Sequence, residues 1–399
     1  TSASGAVGIV FSIMSIIQAV GFTVGMGSGS IAARLMGQGN HRDADAYASS
    51  AVLMALVLGL LLAALGLGNL GSLIWALGST ETIYPYAMDY ARYILMGCPV
   101  MVLSFTLNNL LRWQGKASLA VFGLGTGGVL NMVLDPVFIF IFDLGIAGAA
   151  IATVAGQCVA AAITGAAGFR RPPKLVVMRK YVRQIYRLGY PSIFMQMLYT
   201  VYIMALNMIL AGFSDDAVTV LGLYYKLQSF FFIPLNGLQT CIVPILSYNF
   251  ACLAYDRCKR ILYDSCGISL VFMLVGVVSF ECIPDRLIGL FSQDPAVLAI
   301  GVPAFRIIGL SFIPAVLSLM PPVFFQAIGA AGPSLLLSVV RQICCLIPLF
   351  WLFSKISLGA TWFAYPLSEV ITGSLGVAFY LRQLQRWKRE APMAGPTVR

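Results

Sequence analysis

Eleven long apolar segments restrict what this chain can fold into. They lie near residues 4–33, 48–70, 84–111, 117–142, 146–168, 185–211, 217–248, 264–284, 297–325, 333–353 and 359–381. Each is long enough to cross the hydrocarbon core of a bilayer as a helix, which takes about 20 residues. None shows the alternation of polar and apolar residues that a membrane β-strand requires. With 10% charged residues and a mean hydropathy of +0.89, the chain is predicted to be an all-α polytopic membrane protein.

The positions of the basic residues predict the orientation of these spans. Nineteen of the 25 Lys and Arg residues fall in one set of alternate connections, and only Arg286 and Lys355 fall in the other. Cytoplasmic loops carry such an excess of positive charge. We therefore expect a multi-pass protein of the cell (inner) membrane with a cytoplasmic C-terminus. The same rule explains the net charge of +10, so nucleic acid is not expected as a partner.

The chain also matches itself at an offset of 214 residues. Arg92 falls on Arg306 and Gly115 on Gly329, and loops and spans stay in register. Because each repeat has an even number of spans, both copies face the same way, as in parallel-repeat transporters. The sequence therefore predicts two parallel six-helix bundles.

The repeat sets the predicted domain boundaries. They are an N-terminal lobe at 1–168, a basic cytoplasmic linker at 169–184, a C-terminal lobe at 185–385 and a cytoplasmic tail at 386–399. The span at 185–211 has no repeat partner ahead of residue 1. We therefore expect a further first helix in the intact protein, which makes twelve; the alternative is that eleven spans are complete. A monomer is expected.

Three spans of the N-terminal lobe carry polar residues at one depth. Counted at about 1.5 Å per residue, Tyr90, Asp135 and Thr153 all fall roughly 10 Å from the outer end. Asn131 and Gln157 lie one turn deeper, and Asn131 shares a helix face with Asp135. Oxygen ligands of this kind suit Na⁺ or a bound proton.

Asp135-Pro136 has a second interpretation. Asp-Pro commonly marks a turn that ends a helix, which would give Asp135 a purely structural role. The apolar run continues on both sides of the pair. We therefore favour a carboxylate inside the membrane, where an ionisable side chain is costly and needs a function.

The C-terminal lobe holds further charges within its spans. Lys226 and Glu369 fall at a similar depth, roughly 14–15 Å from outside by the helical rise. We expect them to pair, either as a structural ion pair or as a second coupling or substrate site. Arg92 and Arg306 are expected to extend to the lipid headgroups, while Arg341 has no assigned role.

Several stretches resemble the multidrug and toxic compound extrusion (MATE) family of cation-coupled exporters. They are GMGSGSIAARLMGQG at 25–39, LRWQGKA at 111–117, NMVLDP at 131–136, LGIAGAAIAT at 144–153, PILSYN at 244–249 and YDR at 255–257. The resemblance covers nearly the whole chain and is specific in combination. It is nearest to the prokaryotic branch whose cation site lies in the N-terminal lobe.

The resemblance implies a coupling site and a mode of action. The family's N-lobe network matches at Asn131, Asp135 and Thr153, with the carbonyl of Ala149 as a further ligand and Tyr90 nearby. The acidic residue that this branch carries on its first helix has no counterpart in the sequence. The implied function is a Na⁺- or H⁺-coupled antiporter that exports amphipathic, cationic drugs or toxic compounds by alternating access.

Other functions remain as alternatives. A lipid or lipid-linked oligosaccharide flippase of the same superfamily would use a more basic cavity, for which Arg92, Arg306, Lys226 and Arg341 are candidates. An integral-membrane enzyme would need clustered His and Asp residues or a nucleophile dyad, and a channel would need a filter-like segment; neither is visible. The expected partners are a small-molecule substrate and membrane lipids, without a cofactor beyond a transient Na⁺ or H⁺. Candidate cavity-lining residues are Gln157, Met195, Tyr199 and Gln228.

Overall fold

The protein is described here by a computed structural model. Apart from a few side chains, it describes residues 2–77, 79, 81–168 and 175–390. Within those ranges the chain is helical and contains no β-strand, which confirms the predicted all-α membrane fold. The chain divides into two compact units, Thr1–Ile193 and Phe194–Arg399, called the first and the second unit below.

The first unit is built from six long helices and one short one. They are α1 (Ser2–Gly37), α2 (His41–Gly68), α3 (Leu70–Ala76), α4 (Tyr84–Trp113), α5 (Ala117–Pro136), α6 (Gly145–Gly168) and the first half of α7 (Leu175–Ala211). A π-helical turn, Val137–Ile141, extends α5 beyond Pro136.

Small residues let α1 lie directly against α4. A Cβ atom added to Gly25 would come within 2.6 Å of the Asn109 Cβ, and one added to Gly29 within 2.2 Å of the Trp113 ring. The Thr106 hydroxyl donates a hydrogen bond across this contact to the Gly21 carbonyl, at 3.1 Å. Close backbone approach of this kind is how membrane helices associate without a hydrophobic driving force.

The second unit contains the second half of α7 and nine further helices. They are α8 (Asp215–Ala251), α9 (Tyr255–Cys282), α10 (Pro284–Gly289), α11 (Pro295–Gly309), α12 (Phe312–Ala327), α13 (Ala331–Val339), α14 (Ile347–Ser354), α15 (Leu358–Thr361) and α16 (Ala364–Glu390). A π-helical segment, Val340–Leu346, joins α13 to α14. The core of the unit is aromatic, with Tyr224, Phe280 and Phe305 fully buried against one another.

Eight helices among the described residues are long and apolar enough to cross a membrane. A ninth span results if α11 and α12, which meet at 54°, form one bent crossing. All eleven predicted segments coincide with helices, but α16 and α7, some of whose side chains lie outside the described residues, are not among these nine. The number eleven therefore stays a prediction.

Two predicted boundaries differ from the structure. Residues 175–184, expected in the linker, begin α7, because Tyr181 and Ile185 are buried in the core of the first unit. The ring of Tyr181 lies 4.5 Å from that of Tyr47, whose hydroxyl donates a hydrogen bond to Gln184. The division between units consequently falls inside α7. Residues 169–174 lie outside the described part of the chain.

The predicted tail is also helical at its start. Helix α16 continues to Glu390, because Trp387 is buried and its ring stacks on Tyr255 at 4.6 Å. The rest of the predicted tail, 391–399, lies outside the described residues.

The turns agree with the 214-residue repeat. Gly115 and its repeat equivalent Gly329 have φ of 77° and 80°, and Gly39 and its equivalent Leu253 have φ of 78° and 58°. Left-handed backbone is uncommon and unfavourable for a leucine. Its occurrence at the position that the offset predicts indicates that the two units use the same turn geometry.

Candidate functional site

The candidate site of the first unit lies where α5 and α6 approach most closely. A Cβ atom on Gly127 would lie 2.5 Å from the Gly156 carbonyl oxygen, and one on Gly156 the same distance from the Gly127 oxygen. Neither position therefore accepts a side chain without moving a helix backbone. One turn further along α5 from this crossing is Asn131, so the glycines bring its amide up against α6.

Asn131 connects the two helices. Its Nδ2 donates hydrogen bonds to Asp135 Oδ1 at 3.2 Å and to Thr153 Oγ1 at 3.4 Å. The Thr153 hydroxyl in turn donates to the Ala149 carbonyl at 3.0 Å. The structure thus brings together the four residues Asn131, Asp135, Thr153 and Ala149 that the sequence singled out.

Two further predicted residues border this network. Tyr90, on α4, is buried and interacts electrostatically with Thr153 and Asp135. Gln157 lies one turn beyond Thr153 on α6, and its Oε1 is a buried acceptor without a hydrogen-bond partner among the described residues. A buried polar atom left unpaired is costly, so this oxygen is available to a cation or to water.

The set of atoms fits a small cation or a proton. It offers the carboxylate of Asp135 with the oxygens of Asn131, Thr153, Ala149 and Gln157, and hard cations such as Na⁺ prefer oxygen ligands. Asp135 is half-buried, and an ionised carboxylate within a membrane span is costly. Binding a positive charge at this carboxylate lowers that cost.

The helix does not end at Asp135. Helix α5 runs through Pro136 and continues as the π-turn at Val137–Ile141, so residues 117–141 form a single span. The alternative of a helix-ending Asp-Pro turn is therefore wrong. The chain reverses only at Asp143, which has φ 52°. A π-turn adjoining a polar network is a common feature of functional sites.

The second unit contains a buried ion pair of a different composition. Arg341, on the π-helical segment, donates from Nε and Nη2 to the Glu369 carboxylate at 2.6–3.1 Å. The Ser318 hydroxyl also donates to Glu369, and the Ser368 hydroxyl donates to the Arg341 carbonyl at 3.2 Å. The pair therefore ties the π-helical segment after α13 to α12 and α16.

This result corrects the predicted pair of Lys226 and Glu369. Lys226 is exposed on α8, and its Nζ lies 5.6 Å from the centroid of the Phe291 ring. Equal depth in the membrane predicted the pair, but depth does not specify the direction in which a side chain leaves its helix. Arg341 was noted in the sequence without a role, and it is the residue that reaches Glu369.

Tyrosine rings adjoin the Arg341–Glu369 pair. Tyr202 packs against Tyr199 at 5.3 Å and against Tyr225 at 6.2 Å, and the Tyr225 and Tyr365 hydroxyls lie 3.1 Å apart. Tyr199 is 37% exposed, whereas Tyr202 is buried. Arg341 interacts electrostatically with both Tyr199 and Tyr202.

The remaining predicted residues are less informative. Gln228 is half-buried on α8, and the side chain of Met195 lies outside the described residues. Arg92 and Arg306 are both exposed, which agrees with side chains that extend to the headgroups. The role of Gln157, Met195, Tyr199 and Gln228 in lining a substrate cavity stays a prediction.

Known proteins resemble this chain over most of its length. The multidrug export protein MepA of Staphylococcus saprophyticus is 24% identical over 358 residues, which cover 86% of this chain and 78% of MepA. MepA of Staphylococcus haemolyticus is 24% identical over 385 residues, covering 93% of this chain and 84% of the relative.

Solved structures share the fold. A MATE crystal structure in the bent conformation superposes with a TM-score of 0.90 at 21% identity, covering 98% of this chain and 90% of the other. A second structure is a MOP-superfamily transporter from Pyrococcus furiosus whose binding pocket is described as having reversed polarity. It superposes with a TM-score of 0.86 at 22% identity, covering 96% of this chain and 88% of the other.

The family assignment rests on the sequence itself. The sequence model of the MatE family matches residues 1–137 and 191–352, which is well over half of the chain. The matched regions include the Asn131–Asp135 face of α5 and the Arg341 segment. This chain is therefore a multi-pass membrane protein that belongs to the MatE family, the multidrug and toxic compound extrusion transporters.

Proposed function

We propose that this protein is a Na⁺- or H⁺-coupled antiporter that exports amphipathic, cationic drugs or toxic compounds. Curated relatives that align with most of the chain are multidrug export proteins. The observation that carries the proposal is the network on α5 and α6, in which Asn131 bridges Asp135 and Thr153 inside the membrane. It supplies a carboxylate and several oxygen atoms where a coupling ion needs them.

In this mechanism Asp135 alternates between a charged and a neutralised state. When a cation or proton binds, the carboxylate no longer needs the full hydrogen bond from Asn131, and the amide is free to rearrange toward Thr153. That change acts directly on the α5–α6 contact. The bound ion shifts the conformational equilibrium only if the two conformers of the transporter bind it with different affinities. Release of the ion inward then resets the cycle.

The structure weakens the evidence for the flippase alternative. It relied on a basic substrate path that includes Arg341 and Lys226. The charge of Arg341 is neutralised by Glu369 at 2.6 Å, and Lys226 is exposed beside the Phe291 ring. We therefore propose drug export first and retain lipid-linked substrates as the alternative.

The test uses the full-length protein in liposomes. Efflux of a fluorescent cationic dye is followed under an imposed Na⁺ gradient and, separately, under a pH gradient. Wild type is compared with Asp135→Asn. Asp143→Asn is the matched control, because Asp143 lies in the turn that follows the same span, is exposed and has a left-handed φ that asparagine tolerates equally well.

We expect one of the two gradients to drive dye efflux by the wild type. Asp135→Asn is expected to lose this efflux, and Asp143→Asn to retain it. The gradient that drives efflux identifies the ion. Efflux that is equal in wild type and Asp135→Asn contradicts the coupling site. Absence of dye transport by wild type under both gradients contradicts drug export and favours lipid-linked substrates.

A further inference from the structure

A small notch lies at the cytoplasmic end of α16 in the second unit. It has a volume of about 190 Å³ and is formed where the end of α12 and the start of α13 meet α16. Its lining residues are Phe325, Pro333, Phe379, Arg382, Gln383 and Arg386. The notch does not include Asp135 or Arg341, so it is separate from both networks described above.

The rim of the notch is positive and uncompensated. Arg382 and Arg386 are four residues apart on one helix face, and both are exposed. Neither forms an ion pair or hydrogen bond with a described residue, and no acidic residue lines the notch. Two like charges at this spacing repel each other. An anion placed between them relieves that repulsion and accepts charge-assisted hydrogen bonds.

The floor of the notch is apolar. Phe325 is 2% exposed, and its ring centroid lies 6.5 Å from that of Phe379 in an edge-to-face arrangement. Phe379 precedes Arg382 by three residues, less than one helical turn, and Arg382 follows the predicted end of the last span at residue 381. The aromatic floor therefore lies at the edge of the hydrocarbon region and the arginines lie at headgroup level.

From this geometry we propose that the notch binds the phosphate group of an anionic phospholipid in the cytoplasmic leaflet. Arg382 and Arg386 hold the phosphate, while the glycerol and the first acyl carbons lie against Phe325 and Phe379. Basic pockets between membrane helices on the cytoplasmic side are sites of this kind. A free phosphate ion uses only the rim, whereas a phospholipid uses the rim and the floor.

The test compares lipid binding to the full-length protein by native mass spectrometry. The probes are phosphatidylglycerol, phosphatidylcholine and inorganic phosphate. Because the proposed site uses charge-assisted hydrogen bonds to the phosphate, which are stronger than diffuse attraction to a charged surface, Arg382→Gln with Arg386→Gln is expected to lower phosphatidylglycerol affinity by about tenfold or more. The matched control is Arg257→Gln with Arg260→Gln, which removes the same charge at the cytoplasmic end of α9 and is expected to change affinity less than twofold.

A third variant separates lipid from free phosphate. Phe379→Ala is expected to weaken phosphatidylglycerol binding severalfold and to leave any binding of inorganic phosphate unchanged. An equal loss of lipid binding in both arginine variants overturns the proposal in favour of diffuse surface charge. Equal binding of phosphatidylcholine and phosphatidylglycerol overturns the proposal that the arginines select an anionic lipid. Displacement of the lipid by millimolar phosphate, together with no effect of Phe379→Ala, overturns it in favour of a free-phosphate site.

Discussion

Removing one partner of the Arg341–Glu369 pair is expected to destabilise the protein severely. Glu369→Gln preserves the size of the side chain but leaves the Arg341 guanidinium without its counter-charge. Arg341→Met leaves the carboxylate with only the Ser318 hydroxyl. Each change places an uncompensated charge in a site where the side chains of Arg341 and Glu369 are 18% and 8% exposed.

The burial of the pair determines how much unfolding free energy each variant loses. Breaking a buried ion pair from one side costs about 3–5 kcal/mol, while replacing both partners by neutral groups is often close to neutral. We therefore expect each single variant to lose about 3–5 kcal/mol of unfolding free energy, and the double variant Arg341→Met with Glu369→Gln to lose less than either. The coupling energy between the two positions is then several kcal/mol and stabilising.

The assay is reversible unfolding in mixed micelles by titration with sodium dodecyl sulfate, for the wild type, both single variants and the double variant. Lys226→Met is the control, because the sequence predicted Lys226 as the partner of Glu369. Its contact with the Phe291 ring, at 5.6 Å, is an exposed cation–π interaction worth about 0.5–1 kcal/mol.

Two results would contradict the coupling of Arg341 with Glu369. If the losses of the two single variants simply add in the double variant, Arg341 and Glu369 are not coupled. If Lys226→Met is coupled to Glu369→Gln instead, the partner predicted from depth is the correct one. Either outcome would also restore Arg341 as an unpaired positive charge, and with it the case for an anionic, lipid-linked substrate.

Two further predictions concern the first unit. Gly127→Ala places a Cβ 2.5 Å from the Gly156 carbonyl oxygen, so it is expected to lower the free energy of unfolding by about 1–3 kcal/mol. Gly128→Ala, with open space around it, is expected to be neutral or to stabilise the protein by up to about 1 kcal/mol. Equal effects of the two variants in the same unfolding assay would contradict the close helix contact. Thr153→Val removes a hydroxyl worth about 1 kcal/mol and is expected to raise the half-saturating concentration of the coupling ion about fivefold in transport assays, while Thr164→Val, whose hydroxyl bonds only to its own helix, is expected to leave that concentration unchanged.

The sequence predicted the N-lobe network because its spacing is local. Asn131 and Asp135 lie one turn apart on a regular helix, so a shared face follows from helical geometry. Depth counting then placed Thr153 and Tyr90 at the same level on neighbouring spans. The contribution of Gly127 and Gly156, which bring the two helices into contact, was not predicted.

The ion pair of the second unit was not predictable in the same way. Arg341 belongs to a π-helical segment, where the extra residue in a turn changes the direction of the side chains that follow. A regular helical period therefore assigns the wrong face. The boundary of the first unit was missed for a related reason, since the basic residues of the predicted linker concealed the buried face of Tyr181 and Ile185.

The most direct test of cation-coupled export measures the ion and the exported compound together. In liposomes containing the full-length protein, influx of radioactive Na⁺, or of protons reported by an internal pH dye, is recorded during export of the cationic dye. Cation-coupled antiport through Asp135 predicts ion influx in a fixed ratio to dye export, with both lost together in Asp135→Asn. Dye export that continues in Asp135→Asn with an unchanged ion flux would contradict it.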